Sequence, residues 1–155
     1  MDALHLDWSL VWSHLFLLGI AYLLALPAAW NRERYSRSAG LRTYPLVAIS
    51  TCAFMLVAID VFTTTDAEAR VLQGIITGMG FIGGGAIVKT QGNVSGTATA
   101  ASLWSVGAIG LAVAWQRFEI AIVLSVIIFF TLQLLPEVKH MVVVSDEPFD
   151  DRQND

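Results

Sequence analysis

The first candidates for chemistry in this chain are the ionisable residues within or beside long apolar runs, His14, Asp60 and Arg70. Ionisable groups at membrane depth mark ion pathways, proton relays or structural pairs. Asp60 and Arg70 fall at the same end of successive apolar segments, so topology allows an ion pair; the alternative is two simple interfacial positions. His14 stands near the start of the first apolar run and reads as a wetted interfacial residue. No nucleophile, base and orienting partner fall together as a catalytic set. No His, Cys and carboxylate cluster has metal-ligand spacing. The single cysteine, Cys52, lies inside an apolar run and reads as a small buried residue; alone it makes neither an intramolecular disulfide nor a thiolate metal site. Nucleotide fingerprints are absent as well. The chain reads as non-enzymatic, with no cofactor indicated and no ligand cluster for magnesium.

A second group of candidates is built from small residues. Gly74, Gly78, Gly80, Gly83, Gly84 and Gly85 crowd one apolar segment. Each glycine costs a helix interior about 1 kcal/mol against alanine, so the cluster needs a reason. Gly74 and Gly78 are four apart, as are Gly80 and Gly84, a spacing that in lipid lets another helix approach closely. The alternative is a helix broken at Gly83–Gly85 that exposes backbone carbonyls to a site. The next segment brings Thr97, Thr99 and Ser102, with Ala98, Ala101, Ser105 and Ala108 at helical spacings. Ser95 and Thr97 read as N-caps. The hydroxyls serve as caps and interhelical glue, or they line a polar pocket at a helix N-terminus suited to an anionic group.

The elements that position these residues follow from composition. The 155 residues are 55% hydrophobic and 14% charged, against roughly 25% charged in soluble domains. A helix needs roughly 20 apolar residues to cross the bilayer. Five segments approach that length: about Ser9 to Trp30, Tyr44 to Phe62, Ala69 to Val88, Thr97 to Ala114, and Phe118 to Leu135 closed by Pro136. The expected fold is all-α, a polytopic membrane protein of five transmembrane helices in one domain, residues 1–136. A short acidic cytoplasmic tail, 137–155, follows and reads as flexible. The first run resembles a signal peptide in part, but Asp2 and Asp7 precede it and it is too long, so it reads as a retained helix. Trp8, Trp12, Trp30, Trp115 and Tyr44 fall near segment ends, as an aromatic belt would place them, whereas Trp104 does not.

Charge sets the orientation. Arg32, Arg34, Arg37 and Arg42 share the first loop, and Lys89, Lys139 and Arg152 fall on the same side; Arg70 and Arg117 fall on the other. The positive-inside rule puts the arginine-rich loop and the C-terminus in the cytoplasm and the N-terminus outside. The formal net charge of -4 argues against nucleic acid as a partner.

Several stretches taken together form a known pattern: Arg32-Glu33-Arg34, Ala39-Gly40-Leu41-Arg42-Thr43, Gly78-Met-Gly-Phe-Ile-Gly-Gly-Gly85, and Val94-Ser-Gly-Thr-Ala-Thr-Ala-Ala101 with Trp104. Over about residues 10 to 135 the chain resembles the MgtC/SapB family of bacterial inner-membrane proteins, named also for its YhiD members. The resemblance implies the family's transmembrane domain and a link to magnesium limitation, acid stress or survival inside host phagocytes. Some members are named as magnesium transport proteins; the best-known virulence members resemble regulators of other membrane proteins, the ATP synthase among them. Two departures matter. The family pattern Gly-Leu-Thr-Thr-Ala-Ala is replaced by Gly96-Thr-Ala-Thr-Ala-Ala101. The chain also reads as a short form without the cytoplasmic C-terminal domain of longer members, so roles tied to that domain do not carry over. Arg42, Gly78, Gly80, Gly83, Gly85 and Thr99 carry over as motif positions with roles unassigned.

Two functions follow as expectations. One is a membrane module that binds and modulates other membrane proteins, such as an ATP synthase or ion pump. The other is a channel or transporter for magnesium or another cation. A monomer is poorly equipped for the second, because Asp60 is the carboxylate inside the spans and a divalent ion takes several oxygens. An oligomer would gather copies of Asp60 or of the Gly83–Gly85 carbonyls. Two small-residue faces suggest a homo-oligomer, with a dimer as the default.

Overall fold

The computed structural model describes residues 6–35, 39–90 and 93–145. Five helices follow one another: α1 (Trp8–Tyr35), α2 (Thr43–Val61), α3 (Thr65–Gly85), α4 (Thr97–Ala114) and α5 (Phe118–Ser145). Three of them, α1, α2 and α4, are long and apolar enough to cross a membrane, and α5 adds an apolar stretch from Phe118 to Leu134.

Local chemistry sets the ends. The Asp7 carboxylate accepts hydrogen bonds from the Ser9 amide at 2.9 Å and the Ser9 hydroxyl at 2.7 Å, which caps α1. Those two bonds hold its acid below the ordinary carboxylate value. Thr64 caps α3 by accepting from the Ala67 amide, and Asp66 and Glu68 complement the positive end of that helix. At the close of α4, Gln116 takes a positive φ of 56°. There the Arg117 amide reaches back to the Ala112 carbonyl at 2.8 Å and the Gln116 amide to Val113 at 2.9 Å. This turn folds α5 back against α4.

The helices fall close to the apolar runs, with differences at α1, α3 and α5. α1 continues past Trp30 to Tyr35, so Arg32 and Arg34 lie in its last turn and not in the loop that follows. α5 continues through Pro136 to Ser145, so residue 136 is not its end; a proline removes one N–H donor and leaves the other rungs of a 28-residue helix in place. The acidic stretch from Asp146 onward lies outside the described residues. The glycine-rich helix is unbroken but stops at Gly85, three residues before Val88. Its last turn tightens, with the Ala86 and Ile87 amides bonding to the Gly83 and Gly84 carbonyls. A hairpin then forms, β1 (Val88–Thr90) antiparallel to β2 (Asn93–Ser95), with Val88 opposite Ser95 and Thr90 opposite Asn93. Gly96 leads from it into α4 at φ +83°, and a Cβ there would strike the Ala86 carbonyl.

α4 is the central post. Val106, Ile109 and Val113 are fully buried along it, and it packs against each of the other four helices. The closest approach is to α2: a Cβ at Gly110 would collide with the Thr51 hydroxyl and the Ala48 carbonyl. Small residues thus draw the backbones of α2 and α4 together, as expected in lipid, and Gly83 of α3 comes close to the Ala100 backbone of α4 as well. The Ser125 hydroxyl ties α5 to the Leu24 carbonyl of α1 at 2.7 Å. Large apolar side chains, among them Trp8, Trp12, Phe16, Phe54 and Phe81, point outward. A surface of this kind is stable against lipid and unstable against water.

Candidate functional site

At the end of the bundle where α1 stops and α2 and α4 start, polar side chains converge inside the packing. The Arg32 guanidinium, from the last turn of α1, donates through Nη2 to Thr99 Oγ1 at 2.6 Å. Thr99 stands in the first turn of α4 and is 0% exposed. One turn further along, the Ser102 hydroxyl meets the Tyr44 hydroxyl at 2.5 Å, and it lies within bonding distance of the Ala98 carbonyl at 2.6 Å. Asn31, 2% exposed, donates to Gln133 Oε1 of α5 at 2.8 Å. Two buried atoms here, Asn31 Oδ1 and Arg32 Nε, have no partner among the described residues.

A cation beside the first turn of a helix faces the positive end of its dipole. Arg32 tolerates that position because Thr99 offers a hydroxyl acceptor. The loop is held in turn by Glu33, whose Oε2 accepts from the Leu41 amide at 3.0 Å. Gly40 packs so closely on Glu33 that a Cβ would meet its carboxylate and lie 3.0 Å from its Cα. The Gly40 carbonyl then receives the Tyr44 amide at 3.1 Å and starts α2. Arg32-Glu33, Gly40-Leu41 and Thr99, distant in the chain, are therefore one structural unit.

The other candidates lie elsewhere. Arg42 holds the exposed N-cap position of α2 without a side-chain cap bond. Thr97 is exposed, and the N-cap of α4 is Gly96 without a side-chain cap bond, so neither Ser95 nor Thr97 caps it. The Ser95 hydroxyl reaches the Val88 carbonyl across the hairpin instead. Asp60 pairs with His14 Nε2 at 3.3 Å, joining α1 to α2, and not with Arg70; Arg70 is exposed on α3. Gly83 abuts Ala100 of α4, where a Cβ would sit 3.4 Å from the Ala100 carbonyl oxygen. A Cβ at Gly74, Gly78, Gly80, Gly84 or Gly85 would meet nothing within 4 Å. Gly74 and Gly78 border a groove between α2 and α3, whereas Gly80 and Gly84 border a second one between α3 and α4, with Ala101, Trp104 and Ser105. Cys52 is buried, as its setting suggested. No group of three His, Cys, Asp or Glu side chains is placed to hold a metal ion among the described residues.

Sequence reasoning gives Asn31, Arg32, Tyr44 and Gln133 no place in a site, although Arg32 stands in a family-motif stretch. Arg32 was one arginine among four in a loop, and Tyr44 read as part of the aromatic belt, although it is fully buried. Their signal was polarity at the inner end of an apolar run, visible for Asn31 and Gln133 but without a partner to name.

Outward apolar faces, long apolar helices and a polar knot closed inside the packing define an α-helical membrane protein. The chain belongs to the MgtC family, whose family model matches residues 18–141. It is 33% identical over 139 residues to Protein SrpB of Synechococcus elongatus, covering 81% of this chain and 75% of that protein. It is 34% identical over 128 residues to Protein MgtC of Salmonella typhimurium, covering 83% of this chain and 54% of that one. Against Protein SapB of Bacillus subtilis the identity is 30% over 139 residues, 84% of this chain and 60% of the relative. The chain thus spans about half the length of MgtC. No solved structure matches it.

Proposed function

We propose that this chain is a non-enzymatic protein of the bacterial inner membrane that modulates other membrane proteins, in the physiology of magnesium limitation, acid stress or survival within a host. One observation carries the reading: Gly80 and Gly84 lie open on α3, where an added Cβ would meet nothing within 4 Å. Glycine weakens a helix by about 1 kcal/mol per position. In lipid the return for that weakness is the close approach of another helix. Among the described residues nothing approaches within 4 Å of an added Cβ there, so the approaching helix is supplied from outside, into the groove bordered by Ala101, Trp104 and Ser105. A second copy and a different membrane protein, an ion pump or ATP synthase, are the two kinds of partner. In this reading five helices cross the bilayer, with the arginine-bearing end cytoplasmic and the N-terminus outside. The Arg32 charge at the inner end of the bundle repels a divalent cation, which supports modulation over transport.

Crosslinking and pull-down from native membranes test this, with Gly84→Leu as the comparison. An added Cβ at 84 meets nothing within 4 Å and the side chain enters an open groove, so the variant is expected to fold while losing its partner. Recovery of no partner above detergent background by wild type, or equal recovery by the variant, overturns the proposal. Magnesium flux into proteoliposomes above that of empty vesicles would favour the cation transporter.

A further inference from the structure

We propose that the groove between α2 and α3 holds one acyl chain of an anionic glycerophospholipid, with the phosphate at Arg42. The groove has a volume of about 830 Å³ and runs along α2 from Thr43 to Phe54, facing Gly74, Ile75 and Gly78 of α3. It exists because α3 is sparsely packed: Met79 and Gly83 are its buried residues. The two bordering glycines project no side chain into the space, and the Thr51 hydroxyl is turned back onto the Val47 and Ala48 carbonyls at 3.0 Å. The lining is therefore hydrocarbon-like along most of its length.

The dimensions select the occupant. At 1.5 Å per residue, Thr43 to Phe54 is roughly 16 Å, close to half of the about 30 Å hydrocarbon core, hence one leaflet. An extended acyl chain matches that length and the apolar lining. Charge selects the headgroup: Arg42, exposed, immediately precedes Thr43 at the head of the groove, and the positive end of the α2 dipole lies there too. A phosphate carried by a lipid without a compensating choline is the complement.

Native mass spectrometry of the purified full chain in nonionic detergent tests this, with dioleoyl phosphatidylglycerol, dioleoyl phosphatidylcholine and inorganic phosphate as probes. Wild type is expected to retain one phosphatidylglycerol, about fivefold more tightly than phosphatidylcholine, as one arginine near the surface would give. Arg42→Gln should erase that preference. Gly78→Leu should lower binding of both lipids, with Gly74→Leu as the second groove-filling variant if the first does not fold. Equal binding of the two lipids by wild type overturns the headgroup assignment, and unchanged lipid binding by a folded groove-filling variant overturns the acyl-chain assignment. Displacement of the lipid by inorganic phosphate would mean a headgroup-only site and also overturns it, as does a dimer that the filled groove abolishes. Failure here leaves the helix-docking reading standing, because Gly80 and Gly84 border the other groove.

Discussion

The Arg32 guanidinium donates to Thr99 Oγ1 at 2.6 Å across 67 residues of sequence. This bond joins the last turn of α1 to the first turn of α4 and gathers two family-motif stretches into one place. A charge-assisted bond to a buried hydroxyl is among the stronger single contacts in a fold, and removing one partner strands the other in the packing.

Thr99→Val keeps the side-chain shape and deletes the acceptor. It should destabilise the protein by about 2 kcal/mol, read as a lower unfolding midpoint in detergent micelles. A double-mutant cycle with Arg32→Leu should return a coupling of about 1–2 kcal/mol. Additivity within about 0.5 kcal/mol would deny the pair any direct role.

Glycines of this chain should divide into two classes when changed to alanine. Gly110→Ala drives a Cβ into the Thr51 hydroxyl and the Ala48 carbonyl, so a loss of about 1–3 kcal/mol is expected. Gly84→Ala meets open space and should raise monomer stability by about 1 kcal/mol. Thermal unfolding of the two variants side by side checks the contrast; a loss of monomer stability at Gly84 would refute the open face.

Gln116 occupies a left-handed conformation at the turn from α4 to α5. Glycine takes that conformation without the Cβ penalty. Gln116→Gly should raise the unfolding midpoint, by about 1 kcal/mol in stability. No gain, or a loss, would mean that the glutamine side chain contributes something the backbone geometry does not capture.

The two hydrogen bonds from Ser9 hold the pKa of Asp7 below its ordinary value of 3.8. A depressed carboxylate adds stability that is present above the unfolded value and lost as pH falls through the folded one. Fraying at the start of α1 should therefore increase below about pH 4, seen as faster amide exchange at residues 9–11. Ser9→Ala should move the Asp7 titration, followed by carboxyl NMR, upward toward 3.8; an unmoved titration would remove Ser9 as the cause.

Much of the architecture was legible because membrane helices are written in composition. Apolar runs of bilayer length, separated by arginines, short polar links and turn residues, place the helix starts within a few residues of where they occur, whereas α5 runs past Leu135 to Ser145. The exact end of α3 was less legible: Ile87 and Val88 extend the apolar run, but the backbone leaves the helix at Gly85 and forms a hairpin. Hydropathy measures transfer from water and is blind to that change of backbone path.

By itself, the sequence determined a five-helix chain of the MgtC family with arginines gathered where the first apolar run gives way to the second. Only the tertiary structure decided which small residues meet a neighbour and which arginine reaches into the packing. Gly110 packs on α2 whereas Gly84 faces open space. Arg32 enters the bundle whereas Arg42 stays at its surface. Helical spacing tells which residues share a face, but not what that face meets. The answer depends on how α4 is enclosed by its neighbours, a relation among segments distant in the chain that no single periodicity contains.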